Sequence, residues 1–220
     1  MMSIQDAPCI TPCLDSWDHR DHAATWMWTP RSRPSCEQAD VLNAWTVGQI
    51  EALLRALGPL ARLRSAWFTS PAKLPQANAQ YVWETAASSD QAGFVREVLT
   101  ALATSAAPVT SVELTLDLFV WVRTQPNLPP VQGWILGLAR VDLQSETESP
   151  YGALMMSHTL FRDGKTLVRS NAELHRLNQP LLAAALTQIE SSLGLIDSVE
   201  GLPDVYGGGF RSLSSSPSSV

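Results

Sequence analysis

The sequence predicts an α+β domain, an antiparallel meander sheet of four or more strands with helices packed mainly on one face. Three observations predict it. Aliphatic residues alternate strictly with polar or aromatic ones from Val112 to Val122, a second alternating run follows a Pro-rich loop, and capped apolar stripes at helical spacing lie on both sides of the pair.

The first 40 residues stand apart. They hold all three cysteines, two of the four histidines and Trp17, Trp26 and Trp28, punctuated by Pro8, Pro12, Pro30 and Pro34. No helical or strand period survives there. Residues 1–40 are therefore expected to form an irregular arm that docks loosely through its tryptophans, and deletion of residues 1–36 is expected to leave a folded domain of reduced stability. A single α+β domain should span 41–211, and the Ser-rich residues 212–220 read as a disordered tail.

Within the domain, Thr46-Val47-Gly48-Gln49 fits a capping box. Ile50, Leu53, Leu54 and Leu57 follow as an apolar stripe, and Gly58-Pro59 stops the helix. Short aromatic and β-branched runs at 63–69 and 80–85 read as strands. Asp90 caps a second helix over 91–103, which buries Phe94, Val95, Val98, Leu99 and Leu102.

The strand from Val112 to Val122 buries its even positions and leaves Glu113, Thr115, Asp117, Phe119 and Trp121 on the other side. The next strand, from about Gly133 to Leu143, buries odd positions: Ile135, Ala139, Val141 and Leu143. Trp134, Arg140 and Asp142 take its other side. Residues directly opposite in an antiparallel pair share a face, so even must meet odd across this hairpin. The expected register sets Leu118 opposite Ala139 and Asp117 opposite Arg140. The neighbouring alternative, with Thr115 opposite Arg140, would place Glu113 against Asp142, and like charges facing each other disfavour it.

A third strand over 153–162 and a fourth over 165–169, joined by Asp163-Gly164, complete the meander. Ser170-Asn171-Ala172-Glu173 starts another helix. Pro180 fits badly inside a helix, so the segment is expected to break there and restart with Pro180 as its first residue, running to Leu193 and Gly194.

Function is far less legible. The net charge is −6 and no stripe of Lys and Arg is present, which argues against nucleic acid. Apolar runs such as Leu118 to Val122 are too short to cross a bilayer, the start has neither the basic segment nor the apolar run expected of a signal peptide, and three cysteines do not make a disulfide framework. A cytoplasmic protein is the expectation. Cys9, Cys13, His19, His22 and Cys36 could gather around a metal, but Cys-x3-Cys and His-x2-His are not the usual ligand spacings, so no metal or other cofactor is expected. Tyr206-Gly207-Gly208-Gly209-Phe210 has no following helix and reads as a turn, not a phosphate cradle. No Gly-x-Ser-x-Gly elbow occurs, and His158 shares its strand side with Leu154, Met156 and Leu160, as a core histidine would.

The remaining candidate is the polar and aromatic side of the sheet: Glu113, Asp117, Phe119, Trp121, Trp134, Arg140 and Asp142. Interface centres favour Trp, Phe and Arg. An acidic domain with such a face suits a non-catalytic protein-binding role, as in an inhibitor or immunity-type protein of the bacterial cytosol whose partner is basic. The alternative is a small-molecule or metal-dependent enzyme using the amino-terminal Cys/His arm or His158.

Overall fold

The computed structural model describes residues 4, 7–12, 19–36, 38–70, 79–84, 90–145, 148–158 and 172–201, with backbone only at 19–23, 79–84, 157–158 and 201. Among the described residues seven strands form one sheet: β1 (His19–Trp28), β2 (Ala61–Ser70), β3 (Ala79–Glu84), β4 (Ser111–Val122), β5 (Val131–Gln144), β6 (Tyr151–His158) and β7 (Ile196–Gly201). Their order is β3-β2-β4-β5-β6-β1-β7, and every neighbouring pair is antiparallel. The α-helices among the described residues are α1 (Ala39–Leu57), α2 (Gln91–Ala103) and α3 (Ala172–Ser192). The α+β class, the β4-β5-β6 meander and the antiparallel pairing are as the sequence predicts. The strand expected at 165–169, the glycine run at 207–209 and the tail at 212–220 lie outside the described residues.

The alternation in β4 does what its chemistry requires. Val112, Leu114, Leu116, Leu118, Val120 and Val122 are all fully buried beneath the helices. Asp90 accepts a hydrogen bond from the Gly93 backbone N–H at 2.8 Å and so caps α2 as expected.

The irregular arm is a correction. Residues 19–28 form β1, an internal strand paired with β6 on one side and β7 on the other. Trp26 and Trp28 belong to the core, and the Trp28 indole lies against Gly152, where a Cβ would overlap it. Alternation was present in Ala24, Trp26 and Trp28, but the surrounding prolines and polar residues obscured it. The chain then docks on α3, whose last turn is closed from outside: Arg31 donates from its backbone N–H to the Leu193 carbonyl and from its guanidinium to the Glu190 carbonyl, each at 2.8 Å.

Helix α1 begins seven residues before the expected cap at Thr46. Its buried stripe of Leu42, Asn43, Thr46, Gln49, Ile50 and Leu53 is half polar, which hides the period. Tertiary partners make that stripe possible. Asn43 donates to the Ser105 and Ala107 carbonyls at 3.1 Å and accepts from the Val109 N–H at 2.8 Å, tying α1 to the loop between α2 and β4. Thr46 donates to the Leu42 carbonyl and shares a hydrogen bond with Ser145, so it is an interior residue and no cap.

Helix α3 does not break at Pro180, which is a second correction. Pro180 and Arg176 both sit on the exposed side of the helix. The carbonyl that loses its helical N–H donor is thus within reach of water, and packing of Leu174, Leu182, Ala185, Leu186 and Ile189 holds the helix together.

Candidate functional site

The β4–β5 pairing decides which of the seven predicted residues share a surface. Leu114 faces Val141, Thr115 faces Arg140 and Glu113 faces Asp142, so even meets odd but the register is the disfavoured alternative. Past Leu116, opposite Ala139, the pairing resumes at Leu118 opposite Ile135. A bulge in β5 absorbs the difference around Gly137, whose φ of 63° suits glycine and few other residues.

The opposed Glu113 and Asp142 are reconciled by Arg140. Its guanidinium meets the Glu113 carboxylate at 2.9 Å and the Asp142 carboxylate at 3.0 Å. A diagonal neighbour thus outweighs the unfavourable direct pair, an interaction the one-dimensional pattern does not contain. Trp67 of β2 lies opposite Glu113 from the other side and is 40% exposed. In the sequence Trp67 reads only as a strand residue. Its place on this face depends on a bulge in β2 between Leu63 and Ser65, which shifts the alternation within that strand.

Burial raises the Glu113 carboxyl above its ordinary value, Arg140 opposes the rise and Asp142 reinforces it. A raised acid binds its proton more tightly in the folded state. Its contribution to stability is therefore present below the ordinary value of 4.5 and is lost as pH rises through the shifted one. Glu113→Gln should consequently melt no lower than the parent at pH 7, with a difference that closes as the pH falls below 4.5. Melting curves from pH 3.5 to 7 test this. A variant clearly less stable at pH 7 would mean the Arg140 pair outweighs burial.

Asp117, Phe119 and Trp134 form a different cluster, and it is covered. Asp117 accepts from Arg62 Nε at 3.0 Å, from an Arg64 guanidinium nitrogen at 3.4 Å and from the Gly137 N–H at 2.9 Å, with its side chain only 3% exposed. The Arg62 guanidinium stacks on Trp134 at 4.5 Å, and the Phe119 and Trp134 rings are 5.3 Å apart. An amino-terminal strap crosses Trp134: its indole N–H donates to the Ile4 carbonyl, its backbone N–H donates to Pro8, and its carbonyl accepts from Ile10. Trp134 is 2% exposed and anchors the strap.

Trp121 belongs to neither cluster. It is half-buried against the core where β4 outruns β2, whose first pair is Ala61 with Leu118. The buried Asn178 of α3 takes the missing strand's place, bonding both the N–H and the carbonyl of Trp121 at 2.8 Å. Of the seven predicted residues, only Glu113, Arg140 and Asp142 come together on an open surface.

The Cys/His arm is only partly visible. Cys9 and Cys36 are free thiols, and Cys9 accepts from Arg62 at 3.3 Å. Cys13 and the side chains of His19, His22 and His158 lie outside the described residues, among which no group of three His, Cys, Asp or Glu could hold a metal. Among the described residues no helix is long and apolar enough to cross a membrane. Comparison with protein-family models, with curated proteins and with solved structures finds no match to this chain.

Proposed function

We propose that this chain is a non-catalytic protein-binding module, of the inhibitor or immunity type, which captures a basic partner on the open face of its sheet. The carrying observation is the placement of the helices. All three lie on the aliphatic side, and among the described residues the opposite side carries Trp67, Tyr151 and the Glu113–Arg140–Asp142 cluster exposed or half-exposed. Trp67, Tyr151 and Arg140 are of the residue types that interface centres favour, and Glu113 and Asp142 would orient a basic partner. A net charge of −6 adds long-range attraction for a basic partner.

The test is affinity capture of the partner with the tagged full chain from its native host, followed by titration of the purified pair. Trp67→Ala should weaken binding about tenfold or more with unchanged melting, as truncation of an aromatic anchor does. Higher salt should slow association. Equal affinity for parent and Trp67→Ala would remove this face.

A further inference from the structure

A cavity of about 770 Å³ opens where the end of α1, the Gly58–Leu60 turn and the middle of α3 meet the amino-terminal strap. We propose that it binds an amphipathic monoanion, a carboxylate on a single unbranched apolar chain. This site does not depend on the open sheet face binding a partner.

The space follows from the residues around it. Where α1 approaches α3, the positions facing the cavity include Ala56, Ala184 and Ala185, too small to fill it. Gly58, at φ 50°, turns the chain away from the helix, and Ala7 and Pro8 of the strap add a further small-residue wall. The cleft opens to solvent past the exposed Ile4, Arg55, Pro180, Ala184 and Gln188, and its volume falls within the range of roughly 300–1,000 Å³ typical of small-molecule sites.

Polarity narrows the ligand. Arg55, Gln132 and Gln188 are the only polar side chains among the described lining residues, and no acid is among them. Arg55 is exposed on the last turn of α1 and has no carboxylate partner among the described residues. One cation beside two amides matches a single carboxylate better than a doubly charged phosphate. The walls are aliphatic apart from Phe119, which favours an alkyl chain over a stacked ring system or a sugar.

Calorimetric titration of the full chain with octanoate, decanoate and dodecanoate below their aggregation limits tests the assignment. Saturable one-to-one binding is expected, tightening about fourfold per added methylene until the cavity is full. Arg55→Gln should weaken the carboxylates about tenfold and leave decanol binding unchanged. Ala184→Phe, on an exposed helical position, should abolish binding without lowering the melting temperature. The proposal is overturned by an absence of saturable binding. Equal affinity of the parent for decanoate and decanol, or full binding by a correctly folded Ala184→Phe variant, would overturn it equally.

Discussion

Deleting residues 1–36 should leave a chain that cannot fold. The deletion removes β1, which pairs with β6 and β7 inside the sheet, and so strands β7 without its only described neighbour. It also removes Trp26 and Trp28 from the core and the strap from Trp134. Truncating one buried tryptophan typically costs about 3–5 kcal/mol, and a domain of ordinary stability has only about 5–15 kcal/mol in total. Two tryptophans and two strand ladders exceed that margin. Circular dichroism and gel filtration of the truncated chain are the check. A soluble truncation with a cooperative melt would restore the sequence-level view of a dispensable arm.

Asp117→Ala should be the most damaging single charge removal, and its effect should appear in stability and not in partner affinity. The substitution leaves Arg62, largely buried against Trp134, without its carboxylate and takes the acceptor from the Gly137 N–H that fixes the β5 bulge. Breaking a buried ion pair from one side costs about 3–5 kcal/mol, and the lower end applies because Arg64 is a third exposed and can be hydrated. Asp117→Asn keeps an acceptor for Gly137 and should recover part of the loss. Urea denaturation of the three proteins gives the ordering. An Asp117→Ala variant as stable as the parent but defective in capture would return this residue to the binding face.

These expectations show where sequence signals were sufficient. The alternation of β4 and the Asp90 cap of α2 are local patterns whose physical content is complete within a dozen residues, and both stand in the structure. The parity of the β4–β5 hairpin is equally local, because a one-residue slip would turn an entire aliphatic face to water. Which of the odd registers forms is not local. It depends on Arg140 reaching both carboxylates and on a bulge whose strained glycine is held by Asp117 from the neighbouring strand.

By itself, the sequence determined the α+β class, the two-sided chemistry of the central hairpin and the lack of any basic stripe for nucleic acid. Only the tertiary structure decided that Trp26 and Trp28 complete an internal strand, that α1 begins before Thr46, that Pro180 stays within α3, and that the seven residues of one predicted face divide among an open cluster, a covered cluster and a helix-capped strand end. The reason is common to all four. A local rule weighs most residues against their sequence neighbours at about 1 kcal/mol or less, and a proline inside a helix at about 3 kcal/mol. Partners distant in sequence bring whole-side-chain burial and satisfied buried hydrogen bonds, which are worth several times more and override it.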